Sequence, residues 1–168
     1  MTDTGLDPAT LPLQTAAPDA SVYPFTQTFP ATLAPEVLWA EFTRALTNSP
    51  DAVLWANDVS FIRALRPPLA AGAVLAERLA AGGPELHYRL LRFEPPRLLE
   101  YASLRGHPLA CSAVVTVERT ASGSTLTWRG EYRGSEPQLA HLKRLHAVFF
   151  GEFARRVQQL EATATTAG

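Results

Sequence analysis

The chain has 168 residues, a length that suits one ordinary domain and is short for two. Hydrophobic residues make up 46% and charged residues 18%, a globular balance that excludes a fibrous or wholly disordered chain. A net charge of -1 gives no reason to expect a nucleic-acid or acidic-membrane partner, and a single cysteine, Cys111, excludes an intrachain disulfide.

Residues 1–20 are rich in Thr, Pro, Ala and Asp and hold few apolar side chains, so they read as a mobile tail. They lack the basic start and apolar core of a secretory signal. No apolar run approaches the roughly 20 residues that a membrane-spanning helix needs. A soluble, cytoplasmic protein is the resulting expectation. The single domain is expected over residues 21–162, with 163–168 as a second mobile tail.

Ordered structure is predicted to begin with VYPFTQTF (22–29), where Tyr23, Phe25, Gln27 and Phe29 share one face of a strand. In APEVLWAEFTRAL (34–46), Pro35 suits a first helical turn and Leu38, Phe42 and Leu46 recur every four residues. A second short helix is predicted from NSPD (48–51), with Ser49 as cap and Val53, Leu54 and Trp55 following.

Six further strands are predicted: 59–65, 73–80, 85–93, 98–105, 110–119 and 124–133. Pro- and Gly-rich turns separate them, as in an antiparallel meander. In the fifth and sixth of these, Ala113, Val115 and Val117 oppose Ser112, Thr116 and Glu118, and Leu126, Trp128 and Tyr132 oppose Thr127, Arg129 and Glu131. That alternation fits a sheet covered on one side. In 85–93, Leu86, Tyr88 and Leu90 compete with Leu91 and Phe93 for the inner face, and a bulge near Leu90–Leu91 reconciles them.

The last element is a helix over 135–162. Ser135 and Gln138 have capping-box spacing, and Leu139, Leu142, Leu145, Phe149, Phe153, Val157 and Leu160 form an apolar stripe. At 1.5 Å per residue it is roughly 36–40 Å long, and only the sheet offers an apolar partner of that reach.

No motif for metal or covalent chemistry stands out. His141 and His146 are five residues apart and point in different directions around a helix. His87 and His107 stand apart, with His107 read as an exposed loop residue. No HxxxH, HExxH or CxxC occurs, so no metal site is expected. Cys111 lies on the apolar phase of its strand and reads as a small hydrophobe. No catalytic residue and no cofactor motif is identified. Arg89, Arg119, Arg129 and Arg133 alternate with acidic and polar positions, which reads as a wet sheet face of mixed sign rather than a nucleic-acid platform.

The order strand, short helix, helical turn, six strands and long helix resembles the SRPBCC (START/Bet v 1-like) superfamily, in particular its bacterial polyketide cyclase/dehydratase-like branch. The residues that carry the likeness are APEVLWAEF, SPDAVLWANDV, RPPLAAGAVL, RLLRFEPPRLLEY and LHAVFFGEFARRVQQLE, spread over about 21–161. The resemblance implies an α+β helix-grip: a seven-stranded curved antiparallel sheet around a long C-terminal helix, with two short helices between strands 1 and 2. It also implies an internal cavity for a hydrophobic or aromatic small molecule, with no cofactor.

The expected lining is Phe25, Phe29, Trp128, Tyr132, Phe149, Phe150 and Phe153, with Tyr23 beside them and with Gln27, Glu77, Tyr88 and Tyr101 as polar members; His107, in the Gly–His–Pro turn, lines the mouth as the alternative to its reading as an exposed loop residue. Glu77 has two readings. On the wet face it pairs with a neighbouring strand's arginine; on the inner face, without a cation, its pKa rises and it becomes a candidate acid or base. Three functions follow: a binder or carrier of such a molecule, an aromatase/cyclase-type enzyme working by general acid–base chemistry, and a protein-interaction module. Oligomeric state does not follow from the sequence.

Overall fold

A computed structural model describes residues 6–44, 46, 61–78 and 83–166. It contains strands β1 (Ser21–Ala31), β2 (Phe61–Ala64), β3 (Val74–Arg78), β4 (Leu86–Glu94), β5 (Leu98–Ser103), β6 (Ala110–Thr120) and β7 (Gly123–Gly134). Helix α1 spans Pro35–Arg44 and helix α2 spans Glu136–Thr166. The fold is the helix-grip, with all seven strands in one antiparallel sheet ordered β1-β7-β6-β5-β4-β3-β2. The second short helix expected at 48–55 lies outside the described residues, as do parts of the expected strands at 59–60 and 79–80.

Hairpins explain the sequential order from β2 to β7, and β1 closes the far edge by pairing with β7 from Ser21↔Gly134 to Ala31↔Ser124. The expected bulge is present: the β4–β5 register shifts between Leu90 and Arg92. Tyr88 and Leu90 are therefore buried on the inner side before it, and Phe93 returns to the inner side after it, against Trp39. Gly123 closes the β6–β7 turn at φ +154°, and a Cβ there would meet the Ala31 carbonyl oxygen at 2.2 Å. In mid-strand, Gly130 sits between Phe25 and Ala113, where a Cβ would meet Ser112 O at 2.5 Å. The missing side chain lets β7 coil closely against β6 at that point.

Helix α2 begins as its sequence dictates. The Ser135 backbone N–H donates to Gln138 Oε1 (3.1 Å) and the Gln138 N–H donates to Ser135 Oγ (3.4 Å), a reciprocal cap. The helix continues past the expected end at 162 to Thr166, and near that end Glu161 is tied to the turn after β1. Its Oε2 accepts from the Thr32 N–H (2.8 Å) and the Thr32 hydroxyl (2.9 Å). At 31 residues it is about 46 Å long. Glu41 of α1 is buried and accepts from Arg156 Nε at 2.9 Å, which locks the two helices together.

Residues 6–20 differ from the mobile tail expected of them. They form a strap held by backbone hydrogen bonds, which an apolar count does not register. After a single 3-10 turn (Pro8–Thr10), the Gln14 N–H donates to Ser103 O (2.8 Å) and the Arg105 N–H to Pro12 O (2.9 Å), with Leu13 bridged to Leu104. Arg89 donates to the carbonyls of Ala9 and Leu11. Arg89 pairs in the sheet with Val74 and Ala102, so the strap crosses the outer face of β3–β5, where Val74, Ala76 and Ala102 are buried.

Candidate functional site

The space between the sheet and α2 has two ends. Toward the C-terminal end of α2 it is solid: Phe153 meets Phe29 edge-on at 4.7 Å and Phe42 at 5.7 Å, with Val157 buried beside them. Toward the N-terminal end it opens into a cavity of about 150 Å³. Its walls come from β3 and β4 (Leu75, Glu77, Tyr88), β5 (Leu99, Tyr101), β7 (Trp128, Tyr132), the β5–β6 turn (His107, Pro108, Leu109) and α2 (Leu142, Leu145, His146, Phe149). Phe42 and Leu46 form its inner end, and Gln138 and His141 lie at its rim.

The expected lining is split by this arrangement. Glu77, Tyr88, Tyr101, Trp128, Tyr132 and Phe149 border the cavity. Phe25, Phe29, Phe150 and Phe153 do not; they are packed into one another, Trp128 and His146 as core. Gln27, in register with Trp128, is half-buried and is no part of the wall. These five residues lie on the inner face as expected, but α2 crosses close to β1 and leaves no void there. Distance across the curl, which a strand pattern does not encode, decides which inner residues meet empty space.

Of the two readings of Glu77, the inner one is correct. Its side chain is 7% exposed, and Tyr88 Oη donates to its Oε1 at 3.1 Å. No ion pair to Glu77 forms among the described residues. Desolvation raises its pKa to about 7, against an opposing contribution from the Tyr88 hydrogen bond.

His107 is also a correction: it is 4% exposed rather than a loop ornament. The Leu109 backbone N–H donates to its Nδ1 at 3.0 Å, so Nδ1 carries no proton. The neutral ring then holds its proton on Nε2, which stands 2.9 Å from Tyr88 Oη. The chain of donors has one direction: Leu109 N–H to His107, His107 Nε2–H to Tyr88, Tyr88 O–H to Glu77. Burial holds the His107 pKa down at about 4, which keeps that ring neutral at physiological pH.

The remaining polar groups are satisfied or inert. Trp128 Nε1–H donates to Tyr101 Oη at 2.9 Å. Cys111, buried as expected, has its thiol pushed up to about 12 by desolvation, so it is no thiolate nucleophile at neutral pH. His146 is buried at the inner side of α2, 3.4 Å from Tyr23 Oη, with its pKa held down at about 4 by burial. His146, Leu142 and Leu145 belong to the wall although the expected lining omits them, and His107 joins it, as the alternative reading of its turn has it. The two leucines were legible in the α2 stripe; His107 needed the turn's path.

No group of three or more His, Cys, Asp or Glu side chains among the described residues is placed to hold a metal ion. No described helix is long and apolar enough to cross a membrane.

Comparison with known proteins agrees with this architecture. A family model described as polyketide cyclase / dehydrase and lipid transport matches residues 24–166. No curated protein matches the chain. Among solved structures, Ara h 8.0201 superposes with a TM-score of 0.60 at 12% identity, over 83% of this chain and 99% of that one. A protein of Chromobacterium violaceum gives 0.56 at 15% identity, over 80% and 96%. A point mutant of norcoclaurine synthase from Thalictrum flavum, in complex with a transition-state analogue, gives 0.55 at 12% identity, over 84% and 97%. At these identities the likeness is one of fold.

Proposed function

The chain belongs to the polyketide cyclase / dehydrase and lipid transport family, and from that premise we propose that it binds or carries a small hydrophobic or aromatic molecule in the cavity beneath the N-terminal half of α2. The observation that supports this reading is the void itself. About 150 Å³ bounded largely by Leu, Phe, Trp and Tyr is the volume that receives a single aromatic ring. No covalent step is invoked, since the cavity offers no activated nucleophile among its described residues. A cytoplasmic setting fits the lone, reduced and buried Cys111.

Calorimetric titration with ethylbenzene or indole tests the proposal. Saturable one-to-one binding is expected, and Leu142→Trp, which places an indole in the cavity, is expected to abolish it while leaving the fold intact. Absence of saturable binding by any ring-sized probe to the wild type would sink the reading.

A second reading, an acid–base enzyme of the cyclase/dehydratase type, draws on one specific observation: the Glu77–Tyr88–His107 chain inside an apolar space. A Glu77 carboxylate is suited to take a proton from carbon beside a carbonyl. It returns that proton to a departing hydroxyl, so that a C–H and a C–O bond break, a C=C bond forms and water leaves. Turnover that survives Glu77→Gln unchanged would remove this reading. The interaction-module reading has less support, because large exposed apolar side chains such as Leu6, Val37, Leu91 and Val148 are scattered over separate elements.

A further inference from the structure

The cavity's charge inventory is lopsided. Glu77 is its one carboxylate among the described lining residues, and no lysine or arginine joins it there. Only Oε1 of that carboxylate is engaged, by Tyr88; Oε2 has no hydrogen-bond partner among the described residues. The donor chain through Tyr88 is itself saturated, because His107 Nε2 is committed to Tyr88 and His107 Nδ1 to Leu109. Burying a carboxylate in so apolar a wall is costly unless a donor or a cation answers it. A ligand that brings its own cation relieves that cost, whereas a ligand carboxylate meets like charge and no counter-ion. Trp128, Tyr101 and Phe149 add aromatic walls to the same space, which favour a cation over an anion.

Resting on the cavity reading above, we propose that the preferred ligand is a protonated amine on a single-ring aromatic body, its ammonium held by Glu77 Oε2 and its ring filling the apolar remainder. Among the described residues, the titratable groups facing Glu77 are Tyr88 from β4, Tyr101 from β5, Cys111 and Tyr132 from β6 and β7, His107 from the β5–β6 turn, and His141 and His146 from α2. Glu77 deprotonates at about pH 7, and His107 and His146 are neutral well below that. Affinity for the amine is therefore expected to rise about tenfold from pH 6 to pH 8, following the carboxylate.

The test compares benzylamine, benzyl alcohol, ethylbenzene and benzoate by calorimetric titration of the full chain. At pH 8 benzylamine is expected to bind about ten- to a hundredfold more tightly than ethylbenzene, with benzoate weakest. Glu77→Gln is expected to remove the preference for the amine and its pH dependence while ethylbenzene still binds. If Glu77→Gln does not fold, the wild-type pH series carries the test alone. Equal or weaker binding of benzylamine than of ethylbenzene or benzyl alcohol overturns the inference and leaves the cavity reading standing. A pH dependence that persists in a folded Glu77→Gln assigns it to another group and also overturns the inference. Failure of all four probes removes the cavity reading, and the inference with it.

Discussion

The two ends of the space beneath α2 share one sheet and one helix, yet they are built differently. At the C-terminal end, Phe29, Phe42 and Phe153 meet edge-on and seal the interior. At the N-terminal end, the inward positions include tyrosines (Tyr88, Tyr101 and Tyr132), a buried acid and two buried histidines (His107 and His146). A phenylalanine ring is satisfied by packing from all sides; a buried hydroxyl also requires a partner in a set direction. Tyr88 spends its hydroxyl on Glu77 and His107, and Tyr101 receives the Trp128 N–H. Those fixed directions hold the rings apart where the helix presents the half-buried Leu142, Leu145 and Phe149 beside the buried His146. One end is spent on stability, the other on keeping a space open.

That contrast is broken most severely at Phe153, which is fully buried. Phe153→Ala is expected to cost about 3–5 kcal/mol in chemical denaturation. Leu142→Trp, at the open end, is expected to shift the same midpoint far less while abolishing ligand binding.

Glu77→Gln is the next largest, and it depends on pH. A carboxyl raised from 4.5 to about 7 binds its proton more readily in the folded state. Its contribution is fully present below about pH 4.5 and is lost as pH climbs through 7, a change on the order of 3 kcal/mol. His107 and His146, lowered from 6.5 to about 4, act with the opposite sign: their contribution is present above 6.5 and is lost as pH falls toward 4. The wild-type curve sums all three, so the informative quantity is wild type minus Glu77→Gln, measured by denaturation from pH 4 to 8. A flat difference would contradict a buried, titrating Glu77.

Tyr88→Phe sharpens the comparison by turning one open-end residue into the closed-end type. It leaves His107 Nε2–H and Glu77 Oε1 without their partner, at a cost of about 1–3 kcal/mol. It also removes the bond that restrains Glu77, so that carboxyl should titrate above its wild-type value. Carboxyl-resolved NMR reads the shift directly. Smallest in expected effect is Arg92→Ala, which deletes a solvent-screened surface ion pair with Glu94 and should leave the denaturation midpoint where it is.

Much of this architecture is legible in the chain because it repeats a period. The α2 stripe, the Ser135–Gln138 cap and the alternation along β6 and β7 are local patterns with local causes. The conflict between Leu90 and Leu91 even located the bulge. The site was harder to read. Glu77 and Arg78 are adjacent, and only the sheet's surroundings decide which of them is enclosed. His107 sits in a Gly–His–Pro turn whose sequence reads as solvent, and the turn folds it inward onto Tyr88. Phe25 and Phe29 lie on the inner face as expected, yet the void begins elsewhere, since the gap to α2 depends on the curl of the whole sheet.

The strap over the outer face has a reach beyond its own length. Gln14 Nε2 donates to the His107 carbonyl at 2.6 Å, and Pro12 accepts from the Arg105 amide. Residues 12–14 thereby anchor from outside the turn whose imidazole steers the tyrosine beside the acid. Trimming the first twenty residues, or fusing a bulky tag against them, is expected to register as altered proton affinity of a carboxyl on the opposite side of the sheet.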